Sequence, residues 1–190
     1  MKDKGSPHAR RVPVATEEHL LGPGAYDYAD AFQIEIDERD PRSAEQLARD
    51  TLEQAPRLVR SVIRIAHRYV LRFRLGPPAS PDHVLGWEIL RSEPQLAHVE
   101  ATSSLLRAAI VGRRTGASST VTTYLFFRRP AARVLFKVVG PVHRRITPYL
   151  LERAAATARR TAPSATRSTG HRRIAPDVLS HGVRRINRSR

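Results

Sequence analysis

Residues 120–150 read TVTTYLFFRRPAARVLFKVVGPVHRRITPYL, and a change of period inside this stretch decides the fold class. Over 120–128 the pattern alternates, with Thr120, Thr122, Tyr124 and Phe126 on one face and Val121, Thr123, Leu125 and Phe127 on the other. A period of two is a strand, and apolar residues on both faces suit a central strand better than an edge. After Pro130 the period lengthens. Val134, Leu135, Val138, Val139, Val142, Ile146 and Leu150 recur at three- and four-residue steps, a helix that runs on to Ala158. Gly140-Pro141 and Pro148 remove backbone bonds inside it and predict a bend.

Upstream, the two-residue period predicts strands over 84–92, 96–101 and 105–111, with turns at Glu93-Pro94 and 113–117 and a short candidate turn at 102–104. Helices come before them. Ser43 and Gln46 form a capping box ahead of Leu47, Ala48, Leu52 and Ala55, and Pro56 opens a second helix. Its apolar stripe is Val59, Val62, Ile63, Ala66, Val70 and Phe73, and Gly76-Pro77-Pro78 is the expected stop. Phe32, Ile34 and Ile36 alternate in a first strand over 31–36, followed by turn-rich residues 37–42. The order is thus strand, two short helices, an antiparallel run of strands, and a long C-terminal helix. A curved sheet gripping that helix is a natural α+β packing, and the gap between them is where a ligand would sit.

Composition marks the two ends off. Residues 159–190 hold nine arginines against Asp177 alone, a net of +8, whereas residues 1–158 carry 24 basic and 17 acidic residues, a net of +7. That tail has too little apolar content to offset its ordering entropy, so 160–190 reads as disordered. Residues 1–23, with Pro7, Pro13, Gly22 and Pro23 and no periodicity, read as a flexible arm, and 24–159 as the domain. There are no cysteines, which excludes disulfides and thiolate metal sites. No secretory signal or apolar run long enough for a bilayer is visible, so the cytoplasm is expected and the Asn187-Arg188-Ser189 sequon carries no meaning there.

Three segments carry a resemblance: Asp27-Tyr28-Ala29-Asp30-Ala31-Phe32, Leu85-Gly86-Trp87, and Gly140-Pro141-Val142-His143-Arg144. Together they resemble the bacterial family numbered 2867 among domains of unknown function, over residues 26–159. That family is similar to START-like, polyketide-cyclase-like helix-grip domains. The resemblance implies a helix-grip fold with a cavity, and no particular reaction. The chain departs from the pattern at Gly140, where an arginine would precede the proline; this argues against anion binding at that spot.

Candidate residues each have a plainer alternative. Trp87, His98, Arg107, Tyr124 and Phe126 lie on expected strands and could line a ligand cavity, or could be ordinary core. His143, beside the core-facing Val142, suits a general acid or base with Asp27 or Asp30 as partner, or a structural histidine. Arg57, Arg60, Arg64, Arg68 and Arg72 form a helical stripe: a docking face for phosphates or an anionic membrane, or simply a solvated face. The tail clusters Arg159-Arg160, Arg172-Arg173 and Arg184-Arg185 would contact nucleic acid, an anionic surface or acidic partners, if they have a partner. Arginine makes up 30 of the 33 basic residues, a skew that a GC-rich genome also produces, which weakens that signal.

No cofactor signature survives inspection. Residues 22–27 keep only two glycines of a dinucleotide loop, and 116–120 lack the last glycine of a nucleophile elbow. The eight histidines show no metal-gripping spacing. Three expectations follow: a domain binding a hydrophobic small molecule between sheet and helix, a cyclase- or dehydratase-type enzyme using the same cavity, or an interaction protein acting through its tail.

Overall fold

The structure is a computed structural model and describes residues 7–22, 24–78 and 80–161. In chain order its elements are β1 (Arg10–Val12), the single turn α1 (Glu18–Leu21), β2 (Tyr28–Glu35), α2 (Ala44–Glu53) and α3 (Arg57–Ile65). They continue with β3 (His83–Val84), β4 (Trp87–Glu93), β5 (Leu96–Thr102), β6 (Leu106–Thr115), β7 (Ser118–Phe127) and α4 (Pro130–Thr161). All seven strands pair antiparallel in one curved sheet, in the order β1-β2-β7-β6-β5-β4-β3. The fold is α+β. The alternating stretch over 120–128 is indeed an inner strand: β7 lies between β2 and β6.

Local chemistry sets the element ends. Ser43 caps α2: its Oγ accepts from the Gln46 N–H at 3.2 Å, and the Gln46 side chain takes the Ser43 N–H at 2.8 Å. Pro56 stands just ahead of α3, and Pro130 begins α4, where a missing N–H costs nothing. α4 continues through Pro141 and Pro148 as one 32-residue helix. The second helix ends earlier than Gly76-Pro77-Pro78 predicts. Its last turn widens to π geometry over Ala66–Val70, and Arg72 then adopts φ 57°, reversing the chain so that Leu71 and Phe73 enter the core. The expected strand over 84–92 is present from Trp87 onward as β4, but its first residues belong to a tight hairpin: Leu85 (φ 50°) and Gly86 (φ 88°) turn β3 back onto β4.

Register puts two different surfaces on the sheet. Phe32, Val121 and Gly112 stand opposite one another on β2, β7 and β6, and share an inner face with Ile34, Leu125, Ala108 and Val99. α2, α3 and α4 cover that face, with Leu47, Leu151 and Ala155 packing against Phe32, Ile34 and Ile36.

The outer face is covered too, which corrects the flexible-arm expectation for residues 7–22. β1 pairs with β2, and Val14, Leu20 and Leu21 pack on Leu96, Ala109, Val111 and Tyr124. Arg113 holds the arm through a two-point ion pair with the buried Glu17 at 2.5 and 2.6 Å. The arm lacks periodicity because it is fitted to a finished surface. Residues 1–6 and the arginine-rich tail from 162 onward lie outside the described residues. Among the described residues no helix is long and apolar enough to cross a membrane.

Candidate functional site

A cavity of about 170 Å³ lies between the inner sheet face and the three helices. Its walls are aliphatic and aromatic: Val99, Leu106, Ile110 and Leu125 from the sheet, Leu47 and Leu52 from α2, and Phe136, Val139 and Ile146 from α4. Few polar side chains reach it. Thr51 and Thr147 commit their hydroxyls to carbonyls four residues back on their own helices, at 2.7 and 3.0 Å. Ser119 and Thr123 from β7 and the histidines His67 and His143 complete the polar lining.

His143 is held from behind. Its Nε2–H donates to Asp30 Oδ1 at 3.1 Å, and the Tyr28 hydroxyl donates to Asp30 Oδ2 at 2.5 Å. The Asp30 side chain is fully buried. Burial by itself would raise its pKa, but the bonds from His143 and Tyr28 outweigh that and hold the carboxyl below the ordinary carboxylate range. Burial and the neighbouring carboxylate push the Tyr28 phenol up. With Nε2–H given to Asp30, Nδ1 of a neutral His143 keeps a free lone pair, the nearest group being Thr147 Oγ1 at 3.5 Å.

His67 lines the same cavity from the π turn. Trp87 Nε1–H donates to its Nδ1 at 3.2 Å, which fixes the neutral tautomer with the proton on Nε2. Trp87 and Phe73 meet the ring edge-on at 5.3 and 5.7 Å. Burial in these apolar surroundings, reinforced by the nearby His143, lowers the His67 pKa to about 4. The two histidines thus give the cavity one hydrogen-bond acceptor backed by a carboxylate and one neutral donor backed by an indole.

The sequence candidates separate into two groups. Trp87, His143 and Asp30 belong to the cavity. Asp27 does not: its carboxylate accepts from the Phe127 N–H at 2.7 Å and from Arg133 at 2.8 Å, and it caps the end of β7. His98, Arg107, Tyr124 and Phe126 are a correction. They project from the outer face, where His98 and Arg107 share Glu100 at 3.2 and 3.1 Å and Arg107 lies 3.9 Å over the Phe126 ring. Arg107 also donates to the Leu21 carbonyl, and the Tyr124 hydroxyl to that of Ala15. Their chemistry anchors the arm. β7 carries apolar groups on both faces, so alternation could not say which face meets the helices.

His67 was missed altogether, since it stands beside Arg68 in what reads as a solvated stripe, and no spacing signals that a π turn rotates it inward. At this cavity Asp30 meets His143, Arg144 lies beside the Tyr28 hydroxyl, and Trp87 meets His67. Among the described residues no group of three or more acidic or histidine side chains is arranged to hold a metal. Comparison with known proteins returned no match to a protein-family model, to a curated protein or to a solved structure.

Proposed function

We propose that this chain is a small-molecule-binding domain of helix-grip, START-like type, related to the uncharacterised 2867 family, with its ligand between the sheet and α4. The observation that supports it is a mainly apolar cavity into which two histidines, His67 and His143, bring the ionisable groups. A cavity of about 150 Å³ stays dry and takes up benzene, so 170 Å³ suits a ligand of one ring with a small substituent. Its apolar body would lie against Val99, Ile110 and Phe136, and one oxygen would meet His67 and His143. Trp87 is the only tryptophan and lines the cavity, so its fluorescence reports occupancy directly. Titration with p-cresol and 2-cyclohexenone is expected to give a saturable change that Ile110→Phe abolishes. No saturable change with either compound, together with no compound released from the purified protein on denaturation, would sink the proposal.

The His67–His143 pair favours a second reading, an enzyme of cyclase or dehydratase type. His143 Nδ1 would remove a proton next to a carbonyl, Asp30 would stabilise the resulting imidazolium, and the His67 Nε2–H would hydrogen-bond the enolate oxygen. The enolate then expels a hydroxyl from the neighbouring carbon, which leaves as water with the proton held by His143, a dehydration that needs no co-reactant. The test is solvent deuterium uptake by 2-cyclohexenone above the buffer rate, lost in His143→Gln while Trp87 still reports binding. Binding without uptake leaves the protein a binder.

A further inference from the structure

Two rows of large apolar residues stay in solvent on the helices that flank the cavity. On α3 and its π turn they are Leu58, Val62, Ile65 and Tyr69; on α4 they are Val134, Val138 and Val142, each more than half exposed. Leu58 reaches 82% and Val138 72%. Their spacing of three and four residues makes each row one face of its helix. Val62 and Val142 also line the cavity, so the two rows border its mouth.

Cations flank the rows. Residues 57–72 and 130–151 contain nine lysines and arginines and no aspartate or glutamate. α3 has three faces: Ile63 points inward, the exposed apolar row comes next, and Arg57, Arg64 and Arg68 lie beyond it. α4 repeats the order, with Phe136 and His143 toward the cavity, then the valines, then Lys137 and Arg144. Among the described residues none of Arg57, Arg64, Arg68, Lys137, Arg144 and Arg145 has an acidic partner.

We propose that this face docks on the surface of an anionic phospholipid bilayer, the apolar rows entering the headgroup boundary and the flanking cations meeting lipid phosphates. Charge alone would equally suit a nucleic acid. The apolar rows favour the bilayer, because exposed valine, leucine and isoleucine gain nothing from a phosphate backbone, and among the described residues Tyr69 and Tyr149 are the only exposed aromatics on the two helices for bases to stack on. The cavity mouth would then face the membrane, but the docking does not depend on what the cavity holds.

The test is co-sedimentation of the full chain with vesicles of phosphatidylcholine, and of phosphatidylcholine with one quarter phosphatidylglycerol. Binding to the anionic vesicles is expected to be at least tenfold stronger than to the neutral ones. The neutral double variant Leu58→Gln/Val138→Gln and the charge variant Arg64→Glu/Arg68→Glu should each weaken it about tenfold, with thermal unfolding unchanged. Wild-type protein left in the supernatant overturns the proposal. So does a Gln variant that binds like wild type, since the basic tail alone then accounts for the attraction. Complete displacement by a single-stranded oligonucleotide that binds both Gln variant and wild type equally would assign the face to nucleic acid instead.

Discussion

His67 ties the cavity to solution pH. Its folded pKa of about 4 lies below the ordinary histidine value of 6.5, so the unfolded chain takes up a proton before the folded one does. The sign follows: stability is complete above pH 6.5 and falls as the pH drops toward 4, by roughly 3 kcal/mol for this group. Urea denaturation at pH 7 and pH 5 should show this slope, and His67→Gln should flatten it. Asp30 acts in the same direction at lower pH, because its depressed folded pKa makes a contribution that is lost as pH falls through that value. Replacing Asp30 with Ala removes the acceptor of both His143 and Tyr28; a loss of about 3 kcal/mol at pH 7 is expected from the shift in the urea midpoint. None of this could be read from residue types. Histidine beside arginine looks solvated, and only the π turn and the Trp87 bond show that it is not.

Among the elements, the arm behaves unlike the helices. α2 was legible down to its cap, since Ser43 and Gln46 act on each other within one turn. The arm depends on residues about a hundred positions away: Glu17 on Arg113, and Ala15 on Tyr124. Its fastening is also acid-sensitive. The Arg113 bond holds the Glu17 pKa below the ordinary value, so the ion pair is intact above that range and lost as pH falls through the folded pKa. Glu17→Ala should cost about 1–2 kcal/mol, since water can solvate the part-exposed Arg113 left without its partner, and should make residues 7–22 the first site of limited proteolysis. Unchanged cleavage kinetics would mean that the apolar contacts of Leu20 and Leu21 hold the arm without the ion pair. The β3–β4 hairpin was missed because Leu85, with a positive φ, is not a residue that announces a turn. Gly86 does need its place: φ is 88°, and an added Cβ would lie 3.0 Å from Leu75 Cβ and 3.1 Å from the Gly76 carbonyl. Gly86→Ala is expected to lower stability by about 1–2 kcal/mol, measured by thermal unfolding.

For the molecule as a whole, the cavity links stability to occupancy. Ile110 keeps accessible area although it stands mid-sheet, so room lies beside it. Ile110→Phe should therefore stabilise the empty protein by about 1 kcal/mol and remove the further gain that p-cresol gives wild type, which is about 2.7 kcal/mol at a hundredfold excess over Kd. A p-cresol shift of equal size in both proteins would place the ligand elsewhere. From the chain alone came the α+β class, the order of β2, α2, α3 and the run from β4 to α4, and the inner position of β7, because periodicity and capping act between neighbours in sequence. Two things were decided by packing: which face of the sheet receives α4, and which titratable groups meet behind it. A two-residue period gives both faces of a strand equal standing until helices cover one and the arm the other. Asp30 and His143 are 113 residues apart, and nothing local to either encodes their contact.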